Sequence, residues 1–143
     1  MVTILVFVAV VMIMIGAINT GIQGNVIVLE GNCIPPVSGQ CASESQNTRT
    51  MNVALYKKVT KSDNGTQTPS EKVAEMMNVT NTYSLNAKPG KYYLFYRYND
   101  SEDANEYCAP VIQATTDTQE PCEVNIPNSG KANVNITFNL VTY

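Results

Sequence analysis

The stretch Lys91–Tyr98, KYYLFYRY, indicates most directly how this chain folds. Aromatic residues favour β-strands, and here they alternate between the two faces of one. Four side chains share one face: Tyr92, Leu94, Tyr96 and Tyr98. Tyr93 and Phe95 lie on the opposite face. Because both faces are aromatic, we expect the core to cover one and a partner to cover the other, with ordinary packing inside the domain as the alternative.

Alternation of apolar and polar residues predicts further strands on both sides of this stretch. The last run, Ala132–Tyr143, alternates best and is predicted to be a half-buried antiparallel strand. Shorter runs occur at Asn25–Leu29, Met51–Tyr56 and Cys122–Ile126, and turn residues separate them. We therefore predict a mainly β chain whose residues 25–143 form an antiparallel, Ig-like sandwich of about seven strands. Ser70–Met77, SEKVAEMM, is the one short helix candidate in this part.

Residues 1–24 have a different composition and are predicted to form a separate hydrophobic helix. No charged side chain precedes Glu30, and Val2–Ala17 is apolar apart from Thr3. As a helix, Met1–Gln23 would be about 35 Å long, enough to cross a hydrocarbon core of about 30 Å.

Three interpretations of this segment are open: a cleaved signal peptide, a transmembrane anchor, and an assembly helix that packs against copies of itself. Signal peptides and anchors usually carry Lys or Arg beside the apolar run, and none occurs here. A leader that is cut just before the apolar run would remove such charges. We therefore expect an assembly helix, in a filament or in a membrane complex.

The four cysteines, Cys33, Cys41, Cys108 and Cys122, predict disulfides formed in an oxidising compartment. Zinc sites prefer tighter cysteine pairs, so a structural metal is the weaker interpretation. Three pairings are possible. We favour Cys33–Cys41 and Cys108–Cys122, because each closes a short loop.

Composition argues against most chemistry. The chain has no His and no Trp, its net charge is −3, and it has no long basic run. We expect no enzymatic activity, no cofactor and no nucleic-acid partner. The loop after the aromatic strand, NDSEDANE, is acidic, and Asp100, Glu102 and Asp103 are a weak calcium candidate there. A solvated acidic loop is the alternative.

Four sequons for N-glycosylation occur, at Asn64, Asn78, Asn99 and Asn135. Asn64 and Asn99 lie in predicted loops, whereas Asn135 lies on the polar face of the last predicted strand. The sequons are compatible with a glycosylated surface protein.

Several motifs resemble those of the carboxypeptidase regulatory-like, or prealbumin-like, β-sandwich. Tyr83-Ser84-Leu85 is similar to its Y-x-L strand, and Pro89-Gly90-Lys91-Tyr92 is similar to its P-G-x-Y hairpin. The stretches Val28–Pro35 and Ile136–Leu140 add to the resemblance. It implies a binding or structural module without catalytic residues.

The apolar run of residues 1–23 resembles the N-terminal helix of type IV pilin-like proteins, especially archaeal ones, which lack the near-terminal glutamate of bacterial pilins. This resemblance implies a structural subunit of a cell-surface filament, with helices bundled in the core and β-domains outside. Its partners would be copies of itself, and it would be inserted in the membrane before assembly, at the cell surface. The alternative is a membrane-anchored surface binding module, or an accessory subunit of a membrane complex.

Overall fold

The computed structural model describes residues 19–32, 43–111 and 122–142, and these ranges contain ten β-strands and no helix. The strands are β1 (Gly21–Asn32), β2 (Ser43–Gln46), β3 (Met51–Lys61), β4 (Gln67–Val79), β5 (Thr82–Asn86), β6 (Gly90–Tyr98), β7 (Tyr107–Cys108), β8 (Glu123–Ile126), β9 (Lys131–Asn133) and β10 (Ile136–Thr142). The prediction of a mainly β chain is confirmed. The hydrophobic helix of residues 1–24 and the Cys33–Cys41 pair fall wholly or largely outside the described residues.

The first sheet is built around β1. Its N-terminal half pairs with β5 on one edge and with β9 on the other, and its C-terminal half pairs in the same way with β2 and β10. The β2 and β5 pairings are antiparallel, whereas the β9 and β10 pairings are parallel. At Gly24, the backbone of β1 comes close to the Val134 carbonyl oxygen. A glycine allows this approach, because a Cβ at this position would lie 1.9 Å from that oxygen.

The prediction that the last strand is antiparallel is therefore wrong. A break at Val134 and Asn135 divides it into β9 and β10, and both run parallel to β1 in one register, as in Gln23↔Asn133 and Val26↔Ile136. The alternation of apolar and polar residues shows which side chains face the core. It is the same in parallel and antiparallel strands, so it does not indicate the strand direction. Of the apolar residues that alternate along this run, Ala132, Val134, Ile136 and Phe138 lie in the core or pack against it, whereas Leu140 is 58% exposed.

The second sheet has the order β4-β3-β6, and both β7 and β8 pair with the far edge of β6. All of these pairs are antiparallel. The β3–β4 hairpin closes through a turn in which the Ser62 amide donates to the Thr66 carbonyl oxygen at 2.9 Å. This is the turn that Asp63-Asn64-Gly65 predicts.

The helix candidate Ser70–Met77 is strand, in the middle of β4. Two register shifts interrupt the β3–β4 pairing, between Met51 and Val53 and between Leu55 and Tyr56. Each shift adds one residue to β4, which is a β-bulge. The bulges break the two-residue period, so that the apolar spacing of Val73, Met76 and Met77 imitates a helical repeat.

The segment Pro89-Gly90-Lys91-Tyr92, which is similar to a P-G-x-Y hairpin, does not form a hairpin here. Strands do flank Pro89-Gly90, but β5 pairs with β1 in the first sheet and β6 pairs with β3 and β8 in the second. The turn therefore carries the chain from one sheet to the other. Tyr92 holds this crossing, since its hydroxyl donates to the Lys88 carbonyl oxygen at 2.8 Å.

One hydrophobic cluster draws on both sheets. It contains Ile22, Val26, Met51, Val53, Leu55, Val79, Tyr83, Leu85, Ala87, Tyr92, Leu94, Ala109, Val124, Ile126, Val134 and Ile136. Burying each large aliphatic side chain stabilises the fold by about 1.5–3 kcal/mol. Ile22 is fully buried in it, which explains why β1 begins at Gly21, four residues before the predicted strand at Asn25.

The described ranges contain more strands than the predicted number of about seven, for three reasons. The last strand is divided, β4 replaces the helix candidate, and β2 and β7 are too short for their patterns to be recognised. In the described ranges, no helix is long and apolar enough to cross a membrane.

Candidate interaction surfaces

The second aromatic face of β6 is covered from within the chain. Phe95 is 1% exposed and packs with Ala54, Tyr56 and Cys122. The rings of Tyr56 and Phe95 meet edge to face with centroids 5.6 Å apart. The disulfide Cys108–Cys122, which is confirmed, lies over this cluster. The expectation that a partner covers this face is therefore wrong for Phe95, since the disulfide does so instead.

A charged groove of 840 Å³ lies beside this disulfide cluster on the outer face of the second sheet. Asn52 and Arg97, which are register partners on β3 and β6, lie at its floor. Lys72 and Glu75 of β4 form one wall, and residues 104–108, which end in β7, form the other. The groove thus presents cations and carboxylates together, a mixture that suits a peptide or protein surface better than a uniformly charged ligand.

Lys72 and Glu106 connect the two walls of the charged groove. The Lys72 Nζ lies 3.3 Å from a Glu75 carboxylate oxygen and 4.0 Å from one of Glu106. The Tyr56 hydroxyl donates to the other Glu106 oxygen. Burial and this carboxylate raise the pKa of Tyr56 well above its ordinary value, so it stays protonated as a donor. It is a structural link rather than a general base.

The acidic loop holds its carboxylates apart. The Arg49 guanidinium lies 2.8 Å from the Asp100 carboxylate and holds the pKa of Asp100 below its ordinary value. The Asp103 carboxylate instead accepts from the Tyr107 hydroxyl and the Asn105 amide, and the Tyr107 hydrogen bond lowers its pKa. In the described ranges, no three His, Cys, Asp or Glu side chains gather as metal ligands would. The calcium candidate Asp100, Glu102 and Asp103 has no support in this geometry.

An aromatic cluster joins the two sheets at the end of β6. The Tyr96 and Phe138 rings meet edge to face at 5.1 Å, and Tyr98 lies 6.0 Å from Phe138. The Arg49 guanidinium stacks 3.4 Å above the Tyr98 ring. Tyr107, 47% exposed, continues the cluster to the surface. Of the tyrosines in Lys91–Tyr98, Tyr92 is buried, and Tyr93, Tyr96 and Tyr98 are half-buried.

A second groove, of 620 Å³, is uncharged. It crosses the outer face of the first sheet and extends to Met76 of β4. Amide and hydroxyl side chains dominate its lining: Gln23, Asn25, Thr82, Ser84, Asn133 and Asn135. Gln23 and Asn133 are register partners whose side chains approach to 3.4 Å. The residues that line this amide groove offer hydrogen bonds, and the Lys131 ammonium beside it donates to the Ser84 hydroxyl.

All four sequon asparagines are exposed. The side-chain oxygen of Asn64 accepts from the Thr66 amide at 3.1 Å, and that of Asn135 accepts from the Asn25 amide at 2.9 Å. Both bonds engage the side-chain oxygen and not the attachment nitrogen. Asn99 and Asn78 bond to each other, with the Asn99 nitrogen donating to the Asn78 oxygen at 3.0 Å. Of the four attachment nitrogens, that of Asn99 is therefore the one engaged in these bonds.

Sequence patterns missed the residues that form the two grooves. In the charged groove, Asn52, Lys72 and Arg97 lie on three different strands, and only the pairing of β3 with β4 and β6 brings them together. The sequence shows that Asn133 and Asn135 alternate with apolar residues. It does not show that Gln23 and Asn25 lie beside them, because these two residues lie in or next to the segment predicted as a helix.

No family model, no curated protein and no solved structure matches the chain.

Proposed function

We propose that this chain is a non-enzymatic structural subunit of a cell-surface assembly, a pilin-like filament. In it, the apolar residues before β1 form helices that bundle in the core, and the β-domains lie outside. Copies of the same chain are the partners, and the membrane holds the apolar segment before assembly.

The junction between the apolar segment and β1 carries this proposal. Only Asn19 and Thr20 separate Ile18, the last apolar residue of the run, from Gly21. Thr20 is tied to Ala87 twice: its hydroxyl donates to the Ala87 carbonyl oxygen at 2.6 Å, and its carbonyl oxygen accepts from the Ala87 amide at 3.0 Å. A helix ending here would be fixed to the domain without a flexible linker, as a filament subunit requires.

The domain that we propose is a sandwich of the prealbumin- or Ig-like kind, outside the cell. The shared hydrophobic cluster between the two sheets supports the sandwich. The Cys108–Cys122 disulfide supports an oxidising compartment, because such bonds are rare in the cytosol. The exposed sequons are compatible with a glycoprotein, and Asn64, Asn78 and Asn135 are the first candidates, because the hydrogen bonds described above engage their oxygens and not their nitrogens.

Electron microscopy of surface appendages from cells that produce the full chain tests the proposal. We expect filaments that contain this chain. Val8→Lys should abolish them, because it places a charge in the middle of the apolar run. Val73→Lys is the matched control, since Val73 is 45% exposed on β4, and should leave them intact. Recovery of the chain only as a detergent-soluble monomer would contradict the proposal.

A membrane-anchored binding module is the second candidate, and the two grooves favour it. In this case the apolar segment holds a single domain on the membrane, and the charged groove binds a protein partner. Purification in mild detergent would then yield the chain with an unrelated membrane subunit. Lys72→Glu together with Arg97→Glu should release that subunit without unfolding the domain, whereas unchanged co-purification would exclude the charged groove as the contact.

A further inference from the structure

The first sheet depends on one strand. Within the described residues, β2, β5, β9 and β10 each pair with β1 and with no other strand of that sheet. Without β1, two open edges face each other across an empty slot, and the shared hydrophobic cluster loses Ile22 and Val26. A sheet edge whose backbone groups are unpaired binds an added strand.

The slot is specific for the sequence of β1. A Cβ at Gly21 would lie 2.0 Å from the Leu85 carbonyl oxygen, and a Cβ at Gly24 would lie 1.9 Å from that of Val134. Ile22 between them must instead fill a fully buried position. A strand that fits both edges therefore needs small, large and small residues in this order, and GIQG at residues 21–24 supplies it.

The chain is long enough to place β1 in another molecule. Residues 33–42 connect β1 to β2, and ten residues can span at most about 35 Å when extended. A domain of this size has a radius of gyration of about 13 Å. A second domain in contact with the first is thus within reach when Cys33 and Cys41 are unpaired, because a disulfide between them would shorten the connection to about 17 Å.

We propose that the slot is an assembly surface and that its occupant in the filament is β1 of a neighbouring copy. This inference rests on the proposed filament function. Exchange replaces each contact by the same contact in another molecule, so the choice between the two depends on effective concentration. Bundled apolar segments hold the β1 strands of neighbours close to each other's slots. An exchanged β1 would then lock each domain to the helix of the next subunit.

Cysteine cross-linking in filaments of the full chain tests this exchange. Gln23 and Asn133 are exposed register partners on β1 and β9, so that cysteines at these positions can form a disulfide. In filaments of the double variant Gln23→Cys/Asn133→Cys, exchange predicts a ladder of covalent multimers on a non-reducing gel. In mixed filaments of the two single variants, it predicts a covalent dimer of one copy of each.

The pair Asn52→Cys/Arg97→Cys is the matched control. These register partners lie within the second sheet, and we expect only monomers from them. Filaments in which Gln23→Cys/Asn133→Cys also gives only internally cross-linked monomers would overturn the exchange and leave the filament proposal intact. If electron microscopy shows that even the unmodified chain forms no filament, the proposed function itself fails, and the exchange fails with it.

Discussion

The two sheets of this domain are held together in different ways. In the first sheet, every pairing between strands includes β1, and its parallel partners follow it by 110 residues along the chain, as in Val26↔Ile136. One further bridge joins Ile136 of β10 to Val111. In the second sheet, β3 and β6 pair with each other, and each has another neighbour. The second sheet also carries its own small cluster under a disulfide on its outer face. The outer face of the first sheet is polar and open.

This difference teaches where the domain is vulnerable. Loss of a central strand would leave the second sheet with a hairpin and a disulfide. Loss of β1 would leave the first sheet with no paired strands. Contacts between residues far apart in sequence also form late, because the chain entropy of closing long loops opposes them. The first sheet should therefore be the part that opens first and forms last.

The largest effect is expected from Gly24→Ala. The added Cβ would lie 1.9 Å from the Val134 carbonyl oxygen, so β1 must move away from β9 and lose its pairing. We expect the free energy of unfolding to fall by more than about 3 kcal/mol, measured by urea denaturation. Gly65→Ala is the control, because nothing lies within 4 Å of that position. Its positive φ should cost only about 1–2 kcal/mol. Equal losses in both variants would contradict the special role of β1.

Removal of the Cys108–Cys122 disulfide is expected to have the next largest effect. A bond that closes a loop of this length contributes about 3 kcal/mol by restricting the unfolded chain. Thermal unfolding of Cys108→Ala/Cys122→Ala should show this loss, and hydrogen exchange should show the largest decrease in protection, relative to the unmodified chain, in β6 and β8, which lie next to the Phe95 cluster. If β1 and β10 lost as much protection as β6 relative to the unmodified chain, the two sheets would not be separate units of stability.

A smaller effect is expected at Asn47, which is buried where the chain passes from the first sheet to the second. Its side-chain nitrogen donates to the carbonyl oxygens of Arg49 and Thr80, at 2.6 and 2.8 Å. Asn47→Ala leaves these oxygens without the donor, and we expect a loss of about 1–3 kcal/mol by chemical denaturation. Asn86→Ala is the control, because Asn86 is an exposed residue of β5, and it should change stability by less than about 0.5 kcal/mol. Equal losses of stability in the two variants would show that the segment between β2 and β3 does not depend on the hydrogen bonds of Asn47.

The smallest effect concerns Asp100 and its exposed partner Arg49. The guanidinium lowers the pKa of Asp100 below its ordinary value of 3.8. Because the folded pKa is lowered, this pair stabilises the fold above the ordinary pKa, and the contribution disappears as pH falls through the folded value. Carbon-detected NMR titration should show the lowered pKa, and Arg49→Gln should return it toward 3.8. An unchanged pKa in this variant would exclude Arg49 as the cause.

Sequence patterns predicted the local features of the fold well. The β-rich character, the 62–66 turn and the Cys108–Cys122 bond all depend on residues near one another in the chain. Strand direction and sheet membership depend on distant partners, so the parallel pairing of β10 and the crossing at Pro89-Gly90 were missed. The bulges of β4 hid that strand, because they break its period.

The candidate surfaces were harder to predict for the same reason. The acidic loop was visible as a run of carboxylates, but the Arg49 that binds Asp100 comes from residues before β3. The amide groove combines β1, β5 and β9, which only the pairing of β1 brings together.

Native-state hydrogen exchange of the full chain, followed by NMR over a range of denaturant concentrations, tests most directly whether β1 alone holds the first sheet. Dependence on β1 predicts that the paired amides of β5, β9 and β10 open together with those of β1, at one free energy below that of β3 and β6. If β5 or β10 kept its protection under conditions in which β1 had already lost its own, that dependence would be contradicted.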